Sequence, residues 1–389
     1  MKLILIITDY GSFNNFISEL AEEFIKDSSN ELHVICSNEK VIKVDNKVRN
    51  WSNNIYFHFV EIPRTLSPIR QLSAGFQINR LIKKIKPNLV HVHFTTATFT
   101  SILFRVKSNI YWSTIHGLGM NSTTGVRKIL MIIVEHLCFI RVDKIFVLNG
   151  NDYNYLRKLY RAKVVKQDSL GMGCNIHKYN LNNFSAEMNI RLLKSLKISQ
   201  DSIVISFVGR YTKFKGFHIV IKTFMKLCIK NPCKFKLILM GGVDPIHTTG
   251  LSQTEKKFFN ESVDIVNIGF TNEVEKYLAI TDIFIFPSRK EGLPTCILEA
   301  LSMGVPVIAY DARGINDIVL NHHNGILIPE KKSIFKEEDS FVEAIINLLE
   351  DKEKFELLKN NALKDREKYS RYNFVHESIQ YYQKVLAKL

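Results

Sequence analysis

Hydrophobic residues in this chain fall into short β-branched runs separated by stretches of helical period. Runs at 3–8, 32–36, 55–60, 89–94, 110–114 and 144–149 read as strands, and 13–26, 67–85, 126–139 and 151–160 read as helices between them. The scheme starts again at 202–209, 235–241, 263–269, 283–288 and 305–310. Such alternation predicts βαβ units and a parallel sheet with helices on both faces, formed twice along the chain. Between the halves, 171–201 is polar and Asn-rich with little strand character, and the domain boundary is placed there. The expected domains are 1–175 and 176–370, followed by a last amphipathic helix within 371–389. The predicted class is α/β: two doubly wound, Rossmann-like domains with a cleft between them. Ligands bind such sheets at the carboxyl ends of the strands, so the loops after the strands are where chemistry is sought.

Composition narrows the field. A chain of 389 residues agrees with two domains, because single cores seldom grow past about 300 residues. With 46% hydrophobic and 23% charged residues it is neither disordered, collagen-like nor a disulfide scaffold. Its six cysteines are scattered without a C-x-x-C pair, which points to a reducing compartment and against a structural zinc site. The apolar run after Lys2 is too short for a signal peptide, and the stretch 129–140, broken by Glu135 and His136, is too short to span a bilayer. A cytoplasmic location is therefore expected.

Charge is distributed unevenly. The formal net charge is +15, and most of the basic excess lies in residues 1–180, with 24 Lys+Arg against 13 Asp+Glu. An anionic partner of that half is expected: nucleic acid, an acidic membrane surface or a phosphate-bearing substrate. The stretches 126–144 and 80–86 set basic residues beside apolar ones. They read either as buried helices with charged ends or as a surface that meets anionic lipid heads.

The densest chemical signal is PSRKEGLPTCILEALSMGVPVIAY at 287–310. A strand ends at Phe286, a polar turn carries Glu291 and Gly292, and a helix runs from about Pro294 to Met303. The amides of that first turn and the helix dipole make an anion site. Glu291 and Glu299 are eight residues apart, a rise of about 12 Å along a helix, too far for a hydrolase pair at one bond. That spacing suits two carboxylates gripping separate parts of a long ligand, although Glu299 alone reads as a surface residue. The second signal is FVGRYTKFKGFHIVI at 207–221, where a strand, a loop with Arg210, Lys213 and Lys215, and a helix opened by Gly216 form a phosphate cradle. It matches neither the nucleotide-hydrolase loop nor the dinucleotide fingerprint. In isolation a solvated basic loop is an equal reading. Asp9-Tyr10-Gly11-Ser12 follows the first strand, where a glycine turn would again meet phosphate or acceptor, and His116-Gly117 follows strand 110–114. His91 and His93 alternate on one strand, but no third ligand at a suitable spacing is visible, so packing is the favoured reading.

These residues together resemble the retaining glycosyltransferases of family 4, with the GT-B fold. The likeness rests on FVGR…KG, then IGF…TDIFIFPS…EGLPTCILEALSMGVPVIA, and is strongest over 203–328. In the first half, YWSTIHGLGM and RVDKIFVLNGNDYNYL resemble transferases that build lipid-linked surface polysaccharides. The resemblance implies that Glu291 holds hydroxyls of the donor sugar, with Gly292, Leu293, Pro294 and Thr295 beside it and the diphosphate. It implies that Glu299 binds the ribose, that Arg210 and Lys215 neutralise the leaving diphosphate, that Gly11 borders the phosphates and that His116 touches the donor sugar. Gly269 and Phe270 also fall at the donor nucleotide. Catalytic roles are thus expected for Glu291, His116, Arg210 and Lys215. No cofactor and no catalytic metal are expected, and the last helix is expected to pack back on the first domain. The single glycine of TDYGSFNN and the sequence VDPIHTTG at 243–250 depart from the usual family forms.

The function expected from sequence is transfer of a hexose or N-acetylhexosamine from a nucleoside-diphosphate sugar, with a UDP-sugar foremost, to a lipid-linked saccharide in surface polysaccharide biosynthesis. Peripheral contact with an anionic membrane is expected, and no nucleic acid partner. A GT-B epimerase, another GT-B transferase, a donor-binding protein without catalysis and a basic nucleic-acid-binding protein are the alternatives. The last rests on net charge alone.

Overall fold

A computed structural model describes residues 1–38, 54–65, 67–231, 233–245, 247–330 and 337–387. The chain forms two compact units, Met1–Met172 together with Tyr372–Leu389, and Gly173–Arg371.

The first unit is built on β1 (Lys2–Asp9), β2 (Glu31–Ser37), β3 (Ile55–Phe59), β4 (Leu89–His93), β5 (Ile110–Ile115), β6 (Lys144–Val147) and β7 (Val164–Lys166). Their order is β3-β2-β1-β4-β5-β6-β7, all parallel, so the winding reverses between β1 and β4. Alternate residues of each strand face opposite layers. Ile4, Ile6, Val90 and Val92 enter a core with Ala74, Ile78, Ile82, Ala97, Val134 and Cys138 from the helices Pro68–Ile85, Thr95–Ile102 and Gly125–Arg141. The other face meets the C-terminal helix Arg371–Leu386: Tyr382 stacks on Trp112 with ring centroids 5.9 Å apart, and its hydroxyl lies 2.7 Å from His91 Nδ1. Gln167 Nε2 adds a hydrogen bond to Ser378 Oγ at 3.1 Å. The last two residues of the expected final segment, 388 and 389, lie outside the described residues.

The second unit holds β8 (Ile203–Val208), β9 (Phe235–Met240), β10 (Ile265–Gly269), β11 (Ile283–Phe286), β12 (Val307–Asp311) and β13 (Gly325–Pro329). The order β10-β9-β8-β11-β12-β13, again parallel, reverses between β8 and β11. The two reversal points are where the candidate residues cluster within each unit.

Several elements differ from the periodicity. The expected helix 13–26 is two short helices, Tyr10–Phe16 and Ser18–Phe24, interrupted at Ile17 with φ −120° and ψ −12°. The Thr-rich segment Thr95–Ile102 was not expected to be helical. Its hydroxyls satisfy themselves on the preceding turn, Thr98 Oγ1 to the Phe94 carbonyl at 2.9 Å and Thr100 Oγ1 to Thr96 at 2.8 Å, while its apolar side packs into the core. The edge strands β7, of three residues, and β13, which opens on Gly325, were also not expected from the pattern. Helix Ala186–Ser195 lies in the polar 171–201 stretch, capped by the Ser185 side chain on the Met188 amide. Glu135, the charge that interrupts 129–140, is buried and accepts the amides of Gly119 and Met120 at 2.6 and 3.3 Å. Among the described residues no helix is long and apolar enough to cross a membrane.

Candidate active site

In the second unit two basic side chains of the loop after β8 reach different carboxylates. Lys215 Nζ lies 2.6 Å from Glu291 Oε1, and Ser288 Oγ donates to the same oxygen at 2.5 Å. Lys215 and Glu291 are 76 positions apart in the chain. They meet because β8 and β11 are neighbours and both loops leave the same end of the sheet. Gly216, with φ 75° and ψ 17°, lets the first loop pass: a Cβ there would stand 2.1 Å from the Pro287 carbonyl oxygen. Glu291 is only 8% exposed, and these two partners satisfy the buried oxygen. Immediately downstream, helix Thr295–Ser302 begins after Pro294, which caps it without a side-chain hydrogen bond. Pro294 is thus the cap residue rather than the first helical residue; of the first-turn amides that of Ile297 donates back to the Pro294 carbonyl at 3.2 Å, and the positive end of the helix favours an anion beside Glu291.

Arg210 turns elsewhere. Its Nη1 donates to Asp244 Oδ2 at 2.5 Å, and Asp244 also accepts from the His247 amide at 3.1 Å. The guanidinium sits 5.3 Å from the Phe214 ring centre and is more than half exposed. Sequence reading had marked 243–250 as a departure from the family form, and it is this segment that supplies Arg210 with an acidic partner. At the ends of β8, β9 and β10 stand Gly209, Gly241 and Gly269, all with positive φ. A Cβ on Gly241 would lie 2.0 Å from the Gly209 carbonyl oxygen, so the end of β9 is closed to a side chain, whereas a Cβ on Gly269 would meet nothing nearer than 4.0 Å. Phe270 follows Gly269 and is 77% exposed.

Glu299 is set apart from the Lys215–Glu291 pair, in a group with Tyr179, Lys178 and Glu275. Burial pushes its carboxyl up to about 7, against the pull of Arg371, Lys178 and a hydrogen bond with Tyr179. Lys178 is held by Glu275 at 3.2 Å and by the Asn272 carbonyl at 2.6 Å. Glu299 is therefore a half-buried carboxyl hydrogen-bonded to Tyr179 rather than a solvated surface residue. Gly292 and Leu293 occupy the turn after Glu291, and a Cβ on Gly314 would press to 2.1 Å from the Gly292 carbonyl oxygen. The close approach is thus made by Gly314, which the sequence did not single out.

In the first unit, Gly11 is not in a turn. Asp9 caps helix Tyr10–Phe16 directly, accepting from the Ser12 amide at 2.9 Å and from Ser12 Oγ at 2.7 Å, so Gly11 lies buried in the first helical turn. Arg64 Nη2 reaches Asp9 Oδ2 at 2.5 Å. His116 follows β5, and its Nε2 lies 3.2 Å from His93 Nδ1. Burial drives the His116 imidazole down to about 3, so it is neutral at ordinary pH. His91, between the hydroxyls of Tyr382 and Thr114 at 2.7 and 2.8 Å, is a packed residue, as its position predicted.

Comparison with known proteins gives the family. The family described as glycosyl transferases group 1 matches residues 189–365, and that described as glycosyl transferase 4-like matches residues 4–149. The chain is a family 4-type glycosyltransferase. It is 24% identical to the capsular polysaccharide biosynthesis glycosyltransferase CapM of Staphylococcus aureus, over 84% of this chain and 83% of the relative. It is also 24% identical to the UDP-Gal:alpha-D-GlcNAc-diphosphoundecaprenol alpha-1,3-galactosyltransferase of Escherichia coli, over 85% and 83%. Among solved structures, Anabaena HepE in complex with UDP and glucose superposes with a TM-score of 0.78 at 16% identity, over 99% of both chains. The fold of this glycosyltransferase is GT-B, the class that the resemblance implied.

The residues that sequence reasoning missed are the partners. Ser288 carried a weak signal, three positions before Glu291 in the same turn. Asp244, Tyr179 and Lys178 carried none, because each meets its partner only through the fold.

Proposed function

We propose that this glycosyltransferase moves a hexose or N-acetylhexosamine, with retention of configuration and without a catalytic metal, from a nucleoside-diphosphate sugar to a lipid-linked saccharide during surface polysaccharide assembly. A UDP-sugar is the foremost donor. The observation that carries the reading is the Lys215–Glu291–Ser288 group at the start of helix Thr295–Ser302. A carboxylate there accepts sugar hydroxyls, and a lysine with first-turn amides meets the charge that develops on a departing diphosphate. Arg210 joins that role by exchanging Asp244 for phosphate oxygens, and Glu299 takes the ribose hydroxyls. Phe270 offers an exposed ring to the base. His116 serves as a sugar contact. The Escherichia coli relative, by its name, uses UDP-Gal and a diphosphoundecaprenol-linked acceptor, which supports both substrate classes.

A thermal-shift panel of nucleoside diphosphates and their sugar conjugates, in EDTA, tests the donor site. The melting temperature is expected to rise with one nucleotide, more with its sugar conjugate, and not at all in Arg210→Ala. No shift with any nucleotide, beside a shift with oligonucleotides, would overturn the reading.

Peripheral membrane contact belongs to the same proposal. Helix Gly125–Arg141 leaves Val126, Ile129, Leu130 and Ile133 exposed beside Arg127 and Lys128. Helix Pro68–Ile85 exposes Ile69, Leu72 and Phe76, and helix Thr95–Ile102 packs between the two. An apolar strip edged by cations suits an anionic interface. Lys83 and Lys84 stand in the last turn of their helix, away from the exposed apolar residues of its first half. Ile129→Asp with Ile133→Asp is therefore expected to abolish sedimentation with phosphatidylglycerol vesicles, and Lys83→Glu with Lys84→Glu to weaken it less. Undiminished sedimentation of the Asp variant would remove the membrane surface.

A further inference from the structure

Phe94 follows β4 with φ 73° and ψ 145°, close to a region that glycine alone populates readily. The backbone is held there by hydrogen bonds on both sides. Its amide donates to the Thr114 carbonyl at 3.0 Å, and its own carbonyl accepts from the Thr98 amide at 3.0 Å and from Thr98 Oγ1 at 2.9 Å. Glycine would sit in this conformation without strain, so the packing of the turn does not explain a phenylalanine. What the side chain does is lie flat on His116, with ring centroids 3.9 Å apart and planes 25° from parallel.

The second neighbour of His116 is His93, wholly buried, with its Nδ1 3.2 Å from His116 Nε2 and its own Nε2 without a hydrogen-bond partner among the described residues. His91 does not compete for it, being bonded to Tyr382 and Thr114. Both imidazoles of the His93–His116 pair are neutral, because burial lowers each far below the usual range. One hydrogen therefore lies between them. If His116 supplied it, His93 would carry its proton on Nε2 as an orphaned buried N–H, the rarer and costlier defect. If His93 Nδ1 supplies it, the bare His93 Nε2 is only an unfilled acceptor, and His116 keeps its proton on Nδ1, across the ring from His93.

We infer that Phe94 and His93 are positioning residues for His116: the stacked ring fixes the plane of the imidazole and the buried His93 fixes its tautomer, so that a neutral Nδ1–H is presented to a sugar hydroxyl. The inference rests on the reading of His116 as a sugar contact. It assigns Phe94 a strained backbone that is retained for the placement of one ring.

The test compares Phe94→Gly, Phe94→Ala, Phe94→Tyr and His116→Ala in the full chain. Phe94→Gly is expected to melt at or above the wild-type temperature and above Phe94→Ala, because it relieves the backbone. Both are expected to lose between about tenfold and about a hundredfold in kcat, with nucleoside diphosphate affinity unchanged. Phe94→Tyr retains the stack and the rate. A Phe94→Gly enzyme of wild-type kcat would overturn the role of Phe94. Nitrogen-15 spectra of histidine-labelled protein, with the His116 signals assigned by their loss in His116→Ala, are expected to show the proton on Nδ1. In His93→Ala the same signals are expected to show mixed tautomers. A proton on Nε2 in the wild type would overturn the role of His93. Full activity in His116→Ala would instead reject the sugar-contact reading, while the melting and spectroscopic results still decide whether the ring is held as inferred.

Discussion

Glu291→Ala is expected to lower kcat/KM for sugar transfer by about three orders of magnitude or more, with a melting curve close to wild type. Removing a single preorganised group aimed at a reacting centre typically costs about a hundredfold to a thousandfold, and Glu291 combines that role with the placement of Lys215. In the structure the carboxylate accepts from Lys215 Nζ at 2.6 Å and from Ser288 Oγ at 2.5 Å through the same oxygen, Oε1. The substitution deletes the carboxylate proposed to hold the sugar and frees the lysine. Lys215 is partly exposed and can turn to water, so the fold loses little. Glu291→Gln keeps an acceptor for Ser288 but not the charge, and an intermediate rate is expected. Steady-state kinetics beside thermal melting separate the two effects. An Ala variant that transfers at the wild-type rate would reject the site.

The second large effect is a pH dependence of donor binding centred on Glu299. Its carboxyl is pushed by burial from 4.5 up to about 7 in the free protein. Ribose hydroxyls are held best by the ionised form, so binding must first remove a proton below that value. The association constant for the nucleoside diphosphate is therefore expected to fall about tenfold per pH unit below 7 and to level off above it. The stability sign is opposite to that of most carboxylates. The folded state holds the extra proton between the unfolded value and about 7, so this group's contribution to stability declines as pH rises through that window. Titrations from pH 5.5 to 8 with wild type and Glu299→Gln check this, since the ratio of the two constants cancels the ligand's own phosphate ionisation. A ratio independent of pH would remove Glu299 from the ribose.

How much of this molecule is legible in its sequence follows from the range over which each feature acts. Strand–helix alternation is written in contiguous residues, because a strand buried on both faces needs an unbroken apolar run and the helix after it needs a 3.6-residue period. The doubled α/β plan was accordingly legible, and the family motifs carried the GT-B class. Also legible was the pairing of strand end, glycine and helix start at 207–221 and 287–310, where a phosphate cradle requires those residue types in that order. The pattern failed where local preference and tertiary packing disagree. Thr95–Ile102 is helical although Thr-rich, and Gly11 lies in a helix that Asp9 caps rather than in an open turn.

By itself, then, the sequence determined the doubled α/β plan, the loops in which the candidate residues lie and an excess of positive charge in the first half. The tertiary structure alone decided which of these residues touch. It joined Lys215 to Glu291, turned Arg210 to Asp244, enclosed Glu299 with Tyr179, and laid Phe94 on His116 at 3.9 Å. The physical reason is that helix and strand periods arise between neighbours in the chain, whereas the charge state and orientation of a buried side chain depend on groups that only strand pairing and packing bring within hydrogen-bonding distance.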